Sequence, residues 1–362
     1  MPQKTQNSFT GYVPSSICLQ HSSPFLRLLD FSSNLLNGDL APGLGKCSEL
    51  QVFRAGHNNL LGLFPEDIYK ATKLEEIALP LNSLHGAISD KIVNLANLAI
   101  LDLSFNHFGH KLPINLGKLS KLKFVTFDFN NLVGVTKMLM SCKSLHTLLL
   151  GGSFVGEGMP SDDDMVDFDG FQNLQFLSWL ILTSLVKYLG YIPAEISQLQ
   201  LLRHLVLGSN NFAGIIPDQI SDLQNLEILD LSMNHLSGII PSSLARLNFL
   251  KEFNALYNNL EGPIPTGTQL QSFNAFTFEE NPKLCGAPLP NKCGPSKGID
   301  TDNKNNKDMD NRLHQLPWFH IFTALGFIVG FWGVCGSFII NKTWRYAYFL
   351  FIDNLQDRVY VV

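Results

Sequence analysis

Apolar residues recur along this chain in one fixed frame, which reads Leu-x-x-Leu-x-Leu-x-x-Asn. Leu98, Leu101, Leu103 and Asn106 make one copy of it. A fixed period of this length predicts one supersecondary unit stacked many times, so the period decides the fold before local propensities are weighed. The asparagines that end the frame stand 24 residues apart in two runs, with one more in an incomplete first copy: Asn34, Asn58, Asn82, Asn106 and Asn130; Asn210, Asn234 and Asn258; and Asn7.

The frame predicts one short strand in each repeat. Its fourth and sixth residues are leucines that alternate with polar residues, so they point to one side of a strand. Each repeat then adds a parallel strand to a growing sheet, and burial of each leucine contributes roughly 1.5–3 kcal/mol if a neighbouring repeat covers it. The asparagine amide follows the strand, where we expect it to satisfy backbone groups and to form a ladder down the stack.

Glycine and proline follow each strand at fixed distances. Glycine stands four residues after the asparagine, and because only glycine takes a positive φ without strain, we expect a turn there. Proline stands three residues further on in most copies and holds the chain extended. The glycines are Gly11, Gly38, Gly62, Gly86, Gly134, Gly214, Gly238 and Gly262; the prolines are Pro14, Pro65, Pro113, Pro217, Pro241 and Pro265.

These features together are the leucine-rich repeat, and the pattern Asn-x-Leu-x-Gly-x-Ile-Pro resembles its plant-type extracellular form. The resemblance implies an α/β solenoid, a twisted superhelix of parallel strands with short helical or 3-10 backs and an extra short strand beside each main one. Regular repeats are expected over residues 1–153 and 202–273, with an irregular segment over 154–201. Within that segment Leu177, Leu180 and Leu182 are assigned to the strand frame, with Leu185 in the asparagine position.

Two cysteines lie just past the last repeat, in a segment over 274–294 that we expect to cover the open end of the solenoid. A disulfide between Cys285 and Cys293 would contribute roughly 2–3 kcal/mol and would imply an oxidising compartment; the alternative is two free thiols. Cys47 and Cys142 fall on the helical side of their repeats, where a free buried cysteine acts as a small hydrophobic residue, and Cys18 is open to the same interpretation. No set of cysteines and histidines has zinc spacing, so no metal site is predicted.

A long apolar segment near the end of the chain explains why its mean hydropathy reaches +0.10. Residues 318–340 form 23 positions without a charge, enough to cross a hydrocarbon core of about 30 Å, and Trp318 and Trp344 bracket them. We predict a transmembrane helix in contact with membrane lipid, after a flexible linker over 295–317 and before a cytoplasmic tail over 341–362. Four small residues on one helix face predict docking to another helix, although glycine is common in such helices: Gly326, Gly330, Gly333 and Ser337.

Charge and motifs exclude several classes of function. The net charge is −5 and no basic stripe occurs, which argues against nucleic-acid binding. The tail is too short for a kinase, and no Ser/His/Asp set, glycine-rich phosphate loop or carboxylate pair rises above background, so we predict neither an enzyme nor a cofactor. Five acidic residues are expected to form a solvated loop, with a cation site as the alternative: Asp162, Asp163, Asp164, Asp167 and Asp169.

The whole chain resembles a plant leucine-rich-repeat receptor-like protein that lacks a kinase, on its repeats, its paired-cysteine cap, its glycine-rich span and the ending Trp344-Arg-Tyr-Ala-Tyr-Phe349. The stretches 44–56 and 264–269 are similar to ectodomains of the tyrosine-sulfated glycopeptide and phytosulfokine receptor group. The resemblance implies a single-pass plasma-membrane protein with extracellular repeats, which binds a peptide or elicitor and signals in defence or development through a kinase-bearing receptor, co-receptor or adaptor. The chain opens inside a repeat with neither a signal peptide nor an N-terminal cap, so it is expected to be truncated at its N-terminus. It also has no room for the non-repeat island of the peptide-hormone receptors, which argues against binding of a sulfated peptide.

Residues just before successive asparagines are expected to stack on the concave side of the sheet. His57, Leu81, Phe105 and Phe129 would form an apolar, partly aromatic exposed stripe, which usually marks a contact surface and is the candidate ligand-binding site. The alternative is that phenylalanine before asparagine is simply common in these repeats. We expect Arg54, Asp102 and Asp128 to flank this stripe on the neighbouring column, and a co-receptor to contact Ser209, Met233 and Tyr257 at the C-terminal end.

Other functions stay open on the sequence alone. One alternative is a truncated or decoy receptor fragment that does not signal by itself. A soluble repeat inhibitor of wall-degrading enzymes is another, against which the uncharged span argues. Basic residues on both sides of the span leave its orientation undecided, so the chain could also insert as a tail-anchored protein with its repeats in the cytosol.

Overall fold

The computed structural model describes residues 8–14, 16–18, 25–40, 42–113, 115–133, 142–152, 170–179, 190–266 and 269–293. All of these belong to one compact unit, which ends at Pro295. The predicted transmembrane helix with its docking residues, the acidic run and Asn7 lie outside the described residues. Within the described residues, no helix is long and apolar enough to cross a membrane.

Ten short parallel strands form the main sheet, and they pair in the order in which they occur along the chain. Their central residues are aligned from strand to strand, as in the pairs Leu101–Val125 and Leu205–Leu229. The central residue of each strand is buried, and its neighbours reach the surface in every strand except Phe124–Thr126, where Thr126 is buried too, so the alternation in the repeat frame is largely kept. The strands are Leu28–Asp30, Val52–Arg54, Glu76–Ala78, Ile100–Asp102, Phe124–Thr126, Thr147–Leu149, Phe176–Ser178, His204–Val206, Ile228–Asp230 and Glu252–Asn254.

A second series of strands, the lateral strands, lies after each asparagine and forms three smaller parallel sheets. The glycine expected in a turn lies in or directly after these strands, and it takes a positive φ, for example +79° at Gly214. The positive φ is confirmed, but these glycines lie in or beside a lateral strand and not in an isolated turn. The lateral strands are Thr10–Gly11, Leu35–Asp39, Asn59–Leu61, His85–Gly86, His107–Lys111, Asn131–Val133, Ala213–Gly214, His235–Gly238, Asn259–Pro263 and Lys283–Cys285.

The back of the stack consists of 3-10 helices, each about one turn long. Pro65, Pro217 and Pro241 stand at the N-caps of three of these helices with extended ψ values between 127° and 134°, which agrees with the predicted role of proline. The 3-10 helices are Leu44–Lys46, Glu66–Lys70, Asp90–Asn94, Leu116–Lys118, Ala194–Gln198, Asp218–Asp222, Ser242–Arg246, Gln269–Ser272 and Ala275–Phe278.

The asparagine side chains bind each repeat to the one before it. Asn106 is buried, and its amide nitrogen donates to the carbonyl oxygens of Leu103 and Ser104 in its own repeat and of Leu79 in the preceding one, at 2.9–3.1 Å. Its oxygen accepts from the backbone N–H of Leu84 at 3.0 Å. The predicted ladder is therefore present, and each amide satisfies backbone groups that the turn leaves without partners.

The ladder continues into the C-terminal segment at Asn281, which the sequence did not predict. Asn281 donates to Ala255 and Phe278 and accepts from the N–H of Leu260, in the same geometry as the regular asparagines. It stands 23 residues after Asn258, so a strict period of 24 does not find it. The cap is therefore a shortened repeat.

The frame assigned to the irregular segment was wrong by three residues. Leu177 aligns with Leu148 and Leu205, which places it at the fourth frame position. Leu174 and Trp179 are buried at the first and sixth positions, and the backbone N–H of Trp179 donates to the carbonyl of Val206 on the next strand, as the N–H of leucine does elsewhere. A tryptophan in a leucine position hid the frame. Leu180, Leu182 and Leu185, which were assigned to the same frame, lie outside the described residues.

Cysteine pairing differs from the sequence interpretation in one case. Cys285 and Cys293 form the predicted disulfide. Cys47, interpreted as a free buried thiol, forms a disulfide with Cys18 instead, with Cα atoms 5.1 Å apart. Stacking of consecutive repeats brings these residues together although 29 positions separate them in the chain. Cys142 is buried and free, and burial raises the pKa of its thiol to about 12.

We expect the substitution Asn106→Ala to lower the free energy of unfolding by roughly 3 kcal/mol, because it leaves buried carbonyl and N–H groups without partners. The matched control is Asn59→Ala, which removes an exposed asparagine from a lateral strand. Urea unfolding of both variants tests this, and equal midpoints for the two would contradict the proposed role of the ladder.

Candidate functional site

The outward-pointing side chains of the ten-stranded sheet, together with the residues that follow each strand, form what we call the strand face. The residue just before each asparagine is in the left-handed region, with φ of +53° at both Phe105 and Phe129. This conformation costs a non-glycine residue roughly 1–2 kcal/mol. It recurs in repeats with quite different side chains, such as Ser33 and Leu81, so it belongs to the repeat itself. What differs between repeats is the side chain that this geometry presents.

Two aromatic rings are stacked on the strand face. The ring centroids of Phe105 and Phe129 lie 4.2 Å apart with an interplanar angle of 23°. Both residues are half-buried, and His57 and Leu81 precede them in the same column with similar exposure. The structure therefore brings the four residues of the predicted stripe together and stacks two of them.

Arg54 is held by carboxylates on its two neighbouring strands. Its guanidinium donates to both oxygens of Glu76, at 2.5 and 2.8 Å, and lies 3.9 Å from Asp30. A bidentate pair of this kind fixes the arginine in place and offsets its charge. Arg54 was predicted from the sequence but Glu76 was not; Glu76 stands in the column of Val52, two residues earlier on the strand.

The two predicted aspartates occupy different columns, which corrects the single flanking column that we expected. Asp102 lies on its strand and accepts hydrogen bonds from the N–H and hydroxyl of Ser104 at 3.0 and 2.7 Å. Asp128 lies two residues further along its repeat and accepts from the N–H of Gly151. Because Asp128 aligns with Ser104 and Asp102 with Thr126, the carboxylates sit diagonally on adjacent repeats.

Burial raises the pKa of the Asp128 carboxyl to about 7. The negative charge of Asp102 raises it further, while the hydrogen bonds from Gly151 and Thr126 act in the opposite direction. A carboxyl group beside two stacked rings therefore changes its charge close to neutral pH.

The predicted co-receptor residues form the same column at the C-terminal end. Ser209 donates its hydroxyl hydrogen to the sulfur of Met233 at 3.3 Å. Met233 and Tyr257 are 44% and 49% exposed, so this end of the column presents more apolar surface to solvent than the N-terminal end does. Residues 153–169 and 180–189, between the two halves of the column, lie outside the described residues.

Family models and relatives agree with the repeat architecture. Residues 200–260 and 97–119 each match a family model described as leucine rich repeat. The receptor-like protein EIX2 of Solanum lycopersicum is 36% identical over 99 residues, which are 26% of this chain and 10% of that protein. The matched segment thus spans about a tenth of the length of this curated relative.

Solved structures show the same fold. The ectodomain of the receptor kinase GASSHO1/SCHENGEN3 from Arabidopsis thaliana, solved in complex with CASPARIAN STRIP INTEGRITY FACTOR 2, superposes with a TM-score of 0.69 at 32% identity, over 80% of this chain and 33% of its own. A plant ice-binding protein superposes with a TM-score of 0.61 at 28% identity, over 74% of this chain and 84% of its own. The chain thus resembles plant receptor-like proteins in sequence and a plant receptor ectodomain in fold, while the ice-binding protein shows that this fold alone does not define a function.

The raised pKa of Asp128 predicts a pH-dependent stability. Between the ordinary aspartate pKa near 3.8 and about 7, the folded state holds a proton that the unfolded state has lost. The contribution of protonated Asp128 to stability is therefore complete below pH 3.8, and it is lost as the pH rises from there through about 7. We expect the substitution Asp128→Asn to raise the free energy of unfolding, relative to the unsubstituted protein, by about 2 kcal/mol more at pH 8 than at pH 5.

Urea unfolding at the two pH values measures this difference. The asparagine variant serves as the control for other titrating groups, since it lacks only the carboxyl at this position. A difference between the two proteins that stays constant from pH 5 to pH 8 would contradict the assignment.

Proposed function

We propose that this chain is a cell-surface receptor-like protein whose strand face binds an extracellular peptide or elicitor. The observation that carries this proposal is the stacked pair Phe105–Phe129, half-buried on the strand face beside Asp102 and Asp128. Aromatic anchors next to polar groups are typical of protein and peptide contact surfaces. The resemblance to receptor-like proteins and to a receptor ectodomain solved with its factor supports the same function.

The aromatic pair suits an extended ligand segment. Strands of a parallel sheet are about 4.8 Å apart, so residues of one column are presented at almost regular intervals across the repeats. The rings already contact each other, and they therefore offer a flat apolar surface with little side-chain entropy left to lose on binding. Asp102 and Asp128 would supply the polar contacts that fix the orientation of the ligand.

Signalling is proposed to run through a kinase-bearing partner in the plasma membrane. The four small residues of the predicted span would dock against the partner's helix, and Ser209, Met233 and Tyr257 would contact its ectodomain. The exposed Met233 and Tyr257 support this second contact, because exposed apolar side chains in one column favour association.

Selection from a displayed library of linear peptides, against the full chain in detergent, tests ligand binding. We expect the double substitution Phe105→Ala and Phe129→Ala to weaken binding of the enriched peptides at least tenfold, because both anchors are lost. Phe249→Ala is the matched control, since Phe249 is an exposed aromatic residue outside the strand face, at the end of a 3-10 turn.

The unfolding midpoint of each variant is measured alongside, which separates a loss of contact from a loss of folding. If the enriched peptides bind the double variant and the unsubstituted chain equally well, the aromatic pair is not the binding site.

Co-purification from plant membranes tests the signalling partner. We expect a kinase-bearing receptor to co-purify with the unsubstituted chain, and the double substitution Gly326→Leu and Gly330→Leu to reduce its recovery severalfold by blocking close helix approach. The control is Gly336→Leu, which alters a glycine of the same segment that is not part of the stripe. A chain that binds peptide but recovers no kinase would indicate a decoy.

A further inference from the structure

A hollow of about 570 Å³ lies at the C-terminal end of the strand face, and its lining does not include Ser209, Met233 or Tyr257. Its volume is within the range of small-molecule and side-chain binding sites in proteins. The last three strands form one wall, and the cap forms the other. The lining residues are Phe176, Val206, Ile228, Leu229, Asp230 and Lys251, followed by Glu252, Phe253, Asn254, Phe273, Asn274 and Thr277.

The cap wall is fixed to the sheet by backbone and aromatic contacts. The N–H of Ala255 donates to the carbonyl of Thr277 at 2.8 Å, so the cap continues the hydrogen bonding of the last strand. The ring of Phe253 lies 6.3 Å from that of Phe273 and 5.4 Å from that of Phe278. A hollow between elements bonded in this way is preformed, and a ligand does not have to order it.

Two carboxylates that line the hollow, those of Asp230 and Glu252, are available to bind a ligand cation. Glu227 accepts from Arg203 at 2.6 Å and from Lys251 at 2.5 Å, and hydrogen bonding to Lys251 lowers the pKa of its carboxyl. Both cations of this wall are therefore hydrogen-bonded to the same carboxylate, and the three groups together carry a charge of +1, which Asp230 and Glu252 outweigh. Glu252 is exposed and forms no ion pair within the described part of the chain.

Asp230 is held in a fixed orientation. Its Oδ1 accepts from the N–H and hydroxyl of Ser232 at 2.9 and 2.7 Å. The carboxylate lies over Gly208, where a Cβ would meet its Oδ2 at 3.0 Å. Oδ2 forms no hydrogen bond with any residue that the structure describes, so it is available to a ligand cation.

Apolar groups alternate with these carboxylates. Ile228 lies two residues before Asp230 on one strand and aligns with Glu252 on the next. Phe176 closes the opposite side, with the imidazole of His204 edge-on at 5.1 Å. Burial lowers the pKa of His204, so its ring is neutral at pH 7 and adds no positive charge to the wall.

We propose that this hollow binds an extended segment of a partner polypeptide in which a basic side chain and an apolar side chain stand two residues apart. In an extended chain such residues point to the same side about 6.6–7 Å apart, which matches the spacing of Ile228 and Asp230 on their strand, while Glu252 lies beside Ile228 on the next strand. The basic group contacts Asp230 and Glu252, and the apolar group lies against Ile228 and Phe176. This site is separate from the Phe105–Phe129 pair, so it goes beyond the proposed function.

The probe is the acetylated and amidated peptide Gly-Arg-Gly-Leu-Gly, titrated against the full chain in detergent at low salt and followed by calorimetry. Two further peptides carry citrulline or glutamate in place of arginine. We expect the arginine peptide to bind at least tenfold more tightly than the citrulline peptide, and the preference to shrink in 0.5 M salt, where exposed charges are screened.

Variants assign this binding to the hollow. The double substitution Asp230→Asn and Glu252→Gln keeps the shape of the wall and is expected to remove the arginine preference. Glu75→Gln, which changes an exposed carboxylate just before the strand Glu76–Ala78, is expected to leave it intact. The single substitution Glu252→Lys is expected to shift the preference towards the glutamate peptide.

Three results would overturn the proposal: equal binding of the arginine and citrulline peptides, an arginine preference that survives the double substitution, or a dimer in light scattering that the double substitution dissociates. The last result would assign the hollow to a second copy of the chain. Binding of the library peptides to the Phe105 and Phe129 double variant tests only the proposed function. The proposed function and the basic-segment site in the hollow can therefore fail separately.

Discussion

A buried asparagine amide that bonds two repeats at once is the interaction on which this structure depends. A chain that turns after every three-residue strand leaves many backbone groups without partners, and such groups are costly to bury. Asn106 satisfies three carbonyl groups and one N–H, and these belong to two successive repeats. One side chain therefore closes the turn and also fixes the distance to the neighbouring repeat, so local structure and stacking cannot be separated in this fold.

Regular stacking also creates the surfaces to which we assign function. Because each strand aligns its central residue with that of the next, a side-chain position in the frame becomes a column on the protein surface. Phe105 and Phe129 stack because they hold the same frame position in consecutive repeats. Arg54 meets Glu76 for a related reason, since their columns are adjacent. The core residues of the repeat can stay the same while its surface residues vary, which separates folding from recognition.

Much of this could be predicted from the sequence, because a strict period converts chain position into spatial position. The strand order, the asparagine ladder and the contact between the two phenylalanines all follow from the period of 24 residues. The predictions failed where the period changes. Trp179 replaces a leucine, the cap shortens its repeat at Asn281, and Cys18 meets Cys47 across a spacing that is not a repeat length. The diagonal relation of Asp102 to Asp128 is found only if the frame is counted residue by residue. The raised pKa of Asp128 could not be predicted, because it depends on how deeply the carboxyl is buried.

The hydrogen bonds between the cap and the last strand have an evolutionary consequence. Thr277, Glu279 and Glu280 use their carbonyl groups to bind the N–H groups of Ala255, Tyr257 and Asn258, which would otherwise receive another repeat. No further strand can be added at that edge without removing the cap. Every junction between regular repeats, in contrast, has the same bonding pattern on both sides. Gene duplication can therefore lengthen this stack by inserting whole units at internal junctions, while the C-terminal end and its hollow remain unchanged.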